Sequence, residues 1–197
     1  MKLFMSKTFF RGVLIFNAAM ILIPVFFLLN SSLRETSDFA RTPLKLATDP
    51  QWSNFASVWQ DGNFAIYFKN SVIVTGGSLI VILVCALGAG FVLGRYEFRG
   101  HSLIMAFVLS GMLIPAKLMI LPLFIQLKWM HLLDSYLGLI LVYAAGALPA
   151  AIFIMSGFFR SLPADLDNAA RIDGASEFQL LRRVLMPLVR PGLAIIA

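Results

Sequence analysis

The chain has 197 residues, of which 59% are hydrophobic and only 13% are charged, and its mean hydropathy is +0.86. A soluble globular domain carries about 25% charged residues, so this composition excludes a protein with a continuous water-facing surface. The net charge of +6 does not indicate a nucleic-acid partner, because no basic run with interleaved aromatic residues occurs. We therefore predict an all-α polytopic membrane protein.

Four windows with few or no charged residues are long enough to cross a membrane, since a spanning helix needs about 20 apolar residues. They are Gly12–Leu33, Asn70–Gly94, Ser102 to roughly Leu127, and Ser135–Phe159. The first is too long for the apolar region of a signal peptide and no small-residue cleavage site follows it, so we predict an uncleaved anchor. The third contains Pro115, Lys117 and Pro122. We expect it to end or bend near Pro115, with the remainder at the membrane interface or in the protein interior.

The basic residues predict the orientation of these spans, because cytoplasmic loops are enriched in Lys and Arg. Ten of the 16 basic residues fall on one side: Lys2, Lys7, Arg11, Arg95, Arg99, Arg160, Arg171, Arg182, Arg183 and Arg190. We expect that side, including the amino terminus, to be cytoplasmic. The loop from Arg34 to Lys69 is charge-balanced and is predicted to be external. Its second half is expected to lie on the membrane surface, because it is rich in aromatic residues: Trp52, Phe55, Trp59, Phe64, Tyr67 and Phe68.

Small residues within the second window indicate how it packs. Ala86, Gly90 and Gly94 recur every four residues, which favours close contact with another helix; lining a transport pathway is the alternative interpretation. Cys85 lies in the same apolar run and is expected to be a small buried hydrophobic residue. His101 and His131 have no second ligand at metal spacing and are interpreted as interfacial residues.

The last long polar segment, Asn168–Pro187, is surrounded by apolar sequence. Pro163 suits the first turn of a short helix that ends near Arg171. The negative charges of Asp165 and Asp167 suit the positive amino-terminal end of that helix's dipole. The pair Asp173-Gly174 is predicted to break this helix, because glycine readily adopts positive φ.

A second short helix is predicted after this break. Ser176 and Gln179 form a capping-box pattern, Phe178, Leu181 and Leu185 recur at helical spacing, and Pro187 is expected to end the helix. Two angled helices with small residues at the bend suit insertion into a partner's groove. An amphipathic loop lying on lipid headgroups is the other interpretation, and the residues alone leave both open.

Asn168-Ala-Ala-Arg-Ile-Asp-Gly-Ala-Ser176, followed by Met186-Pro-Leu188, resembles the "EAA" cytoplasmic loop of ABC importer permeases. The family pattern is Glu-Ala-Ala, then Asp-Gly-Ala, then Leu-Pro. Four flanking stretches match as well: Phe68–Ser71, Gly94–Gly100, Tyr136–Ile140 and Gly157–Pro163. Together they resemble the smaller permease subunit of the carbohydrate-uptake branch, similar to those of the maltose and glycerol-3-phosphate importers.

The resemblance implies a type I ABC importer transmembrane domain. Residues 1–69 would form an anchor span and external loop, and residues 70–197 an incomplete transmembrane domain with the coupling loop at 160–190. Because the chain stops within the apolar run Pro191–Ala197, which as a helix covers about 10 Å, we expect the natural protein to continue. The sequence would thus be truncated after the start of a fifth span.

In this family the loop docks in a cleft of the ATP-hydrolysing subunit, so that ATP-driven closure moves the membrane helices. The corresponding positions here are Asn168, Ala169, Ala170, Asp173, Gly174 and Ala175. Two residues depart from the pattern, since Asn168 replaces the family's glutamate and Met186 replaces its leucine. An ion pair made by that glutamate cannot be carried over to Asn168, and Asp167 could substitute only from a different direction on the helix.

No nucleotide-binding loop, zinc motif, nucleophile triad or carboxylate pair is found in the sequence, so we expect neither catalytic chemistry nor a cofactor. The resemblance implies uptake of a sugar, or a sugar phosphate ester, across the bacterial cytoplasmic (inner) membrane. The expected partners are a second homologous permease subunit, cytoplasmic ATP-binding subunits, an extracytoplasmic solute-binding protein and membrane lipid. The alternative is a proton-coupled carrier or membrane-embedded enzyme, which would normally place ionisable groups within its spans.

Overall fold

The computed structural model describes residues 2–197, and these residues form helices without any β-strand. The chain divides into two compact units, one up to Phe68 and the other from Lys69 to Ala197. Among the described residues, three helices are long and apolar enough to cross a membrane, and a fourth span is present if one bent helix pair is counted as a single span.

The first unit begins with α1 (Lys2–Ser32), followed by two short helices, α2 (Thr36–Arg41) and α3 (Ser53–Gln60). The stretch Phe9–Ser32 of α1 has the length and hydropathy of a membrane span, in agreement with the predicted span Gly12–Leu33. Large apolar side chains such as Leu14, Phe16 and Ile21 are about two-thirds exposed within the chain. An apolar helix without a polar face suits a lipid environment.

The segment after α1 is folded around one buried arginine. The Arg34 side chain is 1% exposed; its Nε donates to Asp38 Oδ2 over 2.9 Å and its Nη1 to the Lys45 carbonyl over 3.1 Å. Asn30 donates to the same carbonyl, and Asn54 donates to the Arg34 carbonyl. The Arg34 guanidinium lowers the pKa of the Asp38 carboxyl through its hydrogen bond. One of the charged residues of this loop is therefore a buried structural arginine, which composition alone did not indicate.

The second unit is built on two long helices and a broken one. They are α4 (Phe64–Arg95, whose first residues belong to the first unit), α5 (His101–Ser110) with the 3₁₀ turn Gly111–Leu113, α6 (Ala116–Trp129), and α7 (Tyr136–Ser161). Ser135 caps α7, since its hydroxyl accepts a hydrogen bond from the Gly138 N–H at 3.0 Å. The observed helices cover the second and fourth predicted spans.

The third predicted span bends sharply where the sequence indicated. His101–Leu113 and Lys117–Trp129 differ in direction by 104°. Ile114 and Pro115 between them are extended, with ψ of 118° and 122°. Proline has no N–H to donate and disfavours helical geometry in the residue before it, which explains the break. The predicted bend near Pro115 is confirmed, whereas Pro122 lies inside α6 without ending it.

Helices α4 and α7 approach closely at the glycines of α4. A Cβ added at Gly90 would lie 2.5 Å from the Met155 Cβ, and one added at Gly94 would lie 2.6 Å from the Phe159 Cβ. Ala86 in the same row is fully buried. These contacts confirm the predicted close packing of the small residues. The prediction for Cys85 was wrong: its side chain is exposed, because a neighbouring helical position is rotated about 100° away from the contact face.

The chain then forms α8 (Asp165–Ile172) and a helical run of three parts: α9 (Glu177–Gln179), the π-helical segment Leu180–Leu185 and α10 (Met186–Leu188), before α11 (Arg190–Ile196). Apolar residues of α8 and of the helical run after it join the α4–α7 core. Ala170, Leu180, Leu185 and Val189 are buried there beside Met155 and Phe159. The predicted helix end at Pro187 was wrong, since Pro187 lies within α10. In the π-helical segment just before Pro187, backbone hydrogen bonds join residues five apart instead of four. The helical run therefore depends less on the hydrogen bond to the residue four positions earlier, which proline cannot donate.

Candidate functional site

The bend between α8 and α9 has the geometry of a glycine-terminated helix. Gly174 has a φ of +78°. The Gly174 N–H donates to the Arg171 carbonyl over 3.0 Å, and the Ala175 N–H to the Ala170 carbonyl over 2.9 Å. This pair of bonds is the Schellman pattern, in which the residue after the helix end takes left-handed angles. The predicted break at Asp173-Gly174 is confirmed.

The next helix begins with the predicted capping box. The Ser176 hydroxyl accepts the Gln179 backbone N–H at 3.3 Å, and the Gln179 side chain accepts the Ser176 N–H at 2.8 Å. Both bonds satisfy backbone donors that have no partner within the helix. The bend is therefore defined on one side by Gly174 and on the other by Ser176, and its path is specified by local sequence.

The six positions carried over from the family do not share one surface. Asn168, Ala169, Asp173 and Gly174 are exposed, Ala175 is half-buried, and Ala170 is buried in the core at 8% exposure. Helical geometry explains this division, because Asn168 and Ala169 lie on the side of α8 opposite the face that packs on α4 and α7. Four of the six residues are thus accessible to a partner, while the alanines at 170 and 175 set how closely the loop packs.

Two large hydrophobic side chains stand exposed beside the bend. Ile172 is 86% exposed and Phe178 is 67% exposed. Ile172 is not among the predicted site residues, although an isoleucine directly before Asp-Gly in a polar segment is the available signal. Phe178 was grouped with Leu181 and Leu185 on one apolar face, yet Leu185 is buried and Phe178 is not. Exposed hydrophobic residues on an otherwise polar loop are candidates for a contact surface.

A buried ion pair joins α8 to the end of α4. The Arg95 Nε donates to Asp167 Oδ2 over 2.8 Å, and the two side chains are only 6% and 9% exposed. Asp167 therefore faces away from the surface that carries Asn168, and it does not take over the position of the family's glutamate. From the sequence, Arg95 indicates orientation, and its pairing with Asp167 is not predicted.

A second, more exposed network joins the same helix end to α9. The Tyr96 hydroxyl donates to Glu177 Oε2, and the Arg171 Nε donates to Glu177 Oε1 over 3.0 Å. The Arg171 hydrogen bond, followed by that of Tyr96, lowers the pKa of the Glu177 carboxyl. Burial, followed by the hydrogen bond to Glu177, raises the pKa of Tyr96. Glu177 in α9 thus accepts hydrogen bonds from Tyr96 and from Arg171 in α8, and it links the two helices on either side of the bend.

His101 and His131 lie next to helix ends, and their interfacial role stays a prediction. His101 is half-buried at the start of α5, and its Nε2 lies 2.9 Å from the Leu93 carbonyl oxygen. His131 is exposed in the turn before α7, with a φ of +53°. Across the part of the chain that the structure describes, no group of three or more His, Cys, Asp or Glu side chains is arranged to hold a metal ion.

A cavity of about 720 Å³, with mostly apolar walls that carry several polar groups, lies between the first halves of α4 and α7. It is lined by Asn70, Ser71, Val74, Thr75, Asp134, Ser135, Tyr136, Leu139 and Tyr143. The Tyr136 hydroxyl donates to Asn70 Oδ1 over 2.8 Å across it. The cavity therefore presents amide, carboxylate and hydroxyl groups beside two tyrosine rings, at the opposite end of these helices from the bend.

Known proteins resemble this chain over most of its length. The chain is 40% identical over 187 residues to the diacetylchitobiose uptake system permease protein NgcG of Streptomyces coelicolor, which covers 95% of this chain and 62% of that protein. It is 35% identical over 177 residues to the arabinooligosaccharides transport system permease protein AraQ of Bacillus subtilis, with 87% and 62% covered. It is 33% identical over 172 residues to the trehalose transport system permease protein SugB of Mycobacterium tuberculosis, also with 87% and 62% covered. The chain thus spans less than two thirds of these relatives.

The fold is also similar to that of a solved transporter structure. A solved structure of a bacterial ABC transporter involved in the import of the acidic polysaccharide alginate superposes with a TM-score of 0.81 at 25% identity, over 94% of this chain and 65% of that one. The family described as "Binding-protein-dependent transport system inner membrane component" matches residues 86–197, which include the end of α4, all of α7 and the whole bend. The chain belongs to this family of inner membrane components of binding-protein-dependent transport systems.

Proposed function

We propose that the protein is a permease subunit of an ATP-driven ABC importer, and that its 160–190 loop docks on a cytoplasmic ATP-hydrolysing subunit. The observation that carries this proposal is the exposed bend with Ile172 at 86% and Phe178 at 67% exposure. The bend is attached to α4 and α7 through buried groups. A surface that is both accessible and firmly attached suits the transfer of motion from a soluble partner to membrane helices.

A carbohydrate is the proposed substrate class. The relatives named above are permeases for diacetylchitobiose, arabinooligosaccharides and trehalose, which supports a sugar here as well. The cavity between α4 and α7 offers the appropriate chemistry, since planar polar groups bind hydroxyls and the rings of Tyr136 and Tyr143 present apolar faces. A proton-coupled carrier is less well supported, because the basic residues of α4 and α7 lie toward their ends rather than within the apolar stretch.

The complete importer requires further components. The family's description implies a solute-binding protein, which we place on the extracytoplasmic side, and ATP hydrolysis is assigned to separate cytoplasmic subunits. A second, homologous permease subunit and membrane lipid would cover the apolar side chains that remain exposed on the long helices. The protein would then lie in the bacterial cytoplasmic membrane with its amino terminus in the cytoplasm.

Replacing Ile172 tests the docking surface directly. We expect Ile172→Ser to lower the amount of ATPase subunit that co-purifies with the permease from native membranes, because an exposed apolar anchor is removed. Leu44→Ser is the matched control, since Leu44 is also 86% exposed but lies in the other unit. Transport is then measured in reconstituted vesicles with a panel of neutral oligosaccharides and one sugar phosphate ester.

Absence of any ATPase subunit from the unmodified complex would overturn the proposal. Equal ATPase recovery in both serine variants would place the docking surface elsewhere. If Ile172→Ser instead reduced binding of the isolated permease to anionic vesicles and left ATPase recovery unchanged, the loop would be a headgroup-binding segment.

A further inference from the structure

The connection between α7 and α8 is held by a side chain from a third helix. Arg95, at the end of α4, donates from Nη1 to the Leu162 carbonyl over 2.7 Å and to the Phe159 carbonyl over 3.0 Å. Its Nη2 donates to the Pro163 carbonyl over 3.1 Å. The last carbonyls of a helix have no partner within it. One guanidinium from α4 therefore caps α7 at the point where the chain leaves toward α8.

The same guanidinium is paired with the first turn of α8. Its contact with Asp167 is bidentate, and the Nε–Oδ2 distance is 2.8 Å. Both side chains are almost completely buried. A buried charge is tolerated only when it is paired and hydrogen-bonded, and removing one partner leaves the other uncompensated. Lysine cannot replace arginine here, because a single ammonium cannot contact a carboxylate in bidentate fashion and several carbonyls at once.

No comparably buried pair supports the loop within the described residues. The other ion pair at the bend, Arg171–Glu177, joins side chains that are 41% and 52% exposed. An exposed pair of this kind contributes little, because water and salt screen it. The covalent connection itself is short and extended, since Leu162 has a φ of −79° and a ψ of 142°. Without Arg95 and Asp167, the carbonyls of Leu162 and Pro163 would lose this side-chain donor, and apolar packing would be the main attachment of the loop to α4 and α7.

We propose that Arg95 and Asp167 are positioning residues that make α4, α7 and α8 move as one body when the 160–190 loop is displaced. The inference rests on the proposed function, because it concerns how displacement of the loop reaches the membrane helices. The two side chains are buried within the chain and are not part of the exposed docking surface. Its role is to prevent the α7–α8 connection from absorbing the motion.

Asp167→Asn is the test, because it keeps the shape of the side chain and removes its charge. In complexes assembled with the ATPase subunit, we expect the ratio of substrate-stimulated to basal ATP hydrolysis to fall about tenfold, within the usual range of coupling between sites. The matched control is Asp165→Asn, two residues earlier in the same turn of α8 and exposed. That variant should keep the wild-type ratio. Because the measurement is a ratio in assembled complexes, a lower yield of protein does not affect it.

Arg95→Lys provides a second variant that keeps the positive charge. We expect it to assemble with the ATPase subunit and to have a reduced ratio, because lysine lacks the bidentate contact and the additional donors. A wild-type ratio in Asp167→Asn would overturn the inference. Failure of both variants to assemble would also overturn it, since the pair would then serve folding. An unmodified complex without ATPase subunit would instead refute the proposed function.

Discussion

Gly174 shows what a single residue contributes to the candidate site. Its φ is +78°, and a Cβ added there would have no other atom within 4 Å. A side chain therefore meets no steric obstacle, and any cost comes from the backbone, which non-glycine residues rarely hold in this region. The cost is on the order of 1–3 kcal/mol. Because the bend is exposed, that strain should be relieved by local rearrangement rather than by unfolding of the core.

We predict that Gly174→Val leaves the protein in the membrane at near-normal abundance while uptake and substrate-stimulated ATP hydrolysis collapse. Valine at the bend changes the path of the loop between α8 and α9. Membrane abundance, uptake and ATP hydrolysis are measured on the same preparations. Gly100→Val is the matched control, since Gly100 also has a positive φ, +94°, in open space but lies outside the loop.

Normal uptake by Gly174→Val would show that the bend is not the coupling element. If Gly100→Val lost uptake to the same extent, backbone strain in general, and not the bend, would be responsible. Loss of Gly174→Val from the membrane would assign the glycine a structural role.

At the scale of helices, the contact between α4 and α7 determines where the loop is attached. Phe91 and Phe159 pack with ring centroids 5.7 Å apart, next to the small residues of α4. The buried residues of the loop, Leu180 and Leu185, extend the same cluster. The loop therefore packs directly on these two helices, so displacement of the loop acts on both of them.

Gly90→Ala is predicted to destabilise the α4–α7 contact. The added methyl group would lie 2.5 Å from the Met155 Cβ and 3.2 Å from backbone atoms of α7, so the helices must separate locally. Overpacking of this kind costs about 1–3 kcal/mol. Thermal unfolding in detergent should show a lower midpoint for this variant.

The control lies two residues away on the same helix. Gly88→Ala adds the same methyl group where no atom lies within 4 Å, and the higher helix propensity of alanine should leave the midpoint unchanged or raise it. Equal midpoints for the two alanine variants would mean that the close contact is not an important source of stability.

For the molecule as a whole, orientation follows from charge and not from packing. Ten of the 16 basic residues lie on one side of the predicted spans, and we propose that this side is cytoplasmic. The loop after α1 would then face outside and the 160–190 loop would face the ATPase.

Cysteine labelling tests this orientation. In a Cys85→Ser background, we expect a membrane-impermeant thiol reagent to label Asp49→Cys on intact cells and to spare Asp173→Cys until the cells are permeabilised. Both aspartates are exposed, so accessibility within the chain does not bias the result. Labelling of position 173 but not of position 49 on intact cells would reverse the proposed orientation.

Local patterns predicted much of this architecture. The apolar windows located the long helices, Pro115 located the break in the third span, and the Asp173-Gly174 and Ser176–Gln179 patterns located the bend and the start of α9. Each of these features depends on residues close in sequence: the missing N–H of proline, the positive φ of glycine, or a side chain that caps its own helix. Such effects are largely independent of the rest of the fold.

Other features were decided only by tertiary packing. Composition identified Arg34 and Arg95 as charges, but whether a charge is buried depends on partners distant in sequence, such as Asp167, which lies 72 positions from Arg95. The exposure of Ile172, Phe178 and Cys85 likewise depends on which face of a helix meets α4 and α7. The passage of the helical run through Pro187 depends on a π-helical segment that no residue pattern indicated. The sequence by itself determined the long helices, the break at Pro115 and the bend at Gly174, because these arise from local backbone chemistry. Only the tertiary structure decided which side chains attach the loop and which remain free for a partner, because burial and ion pairing are properties of the packed chain.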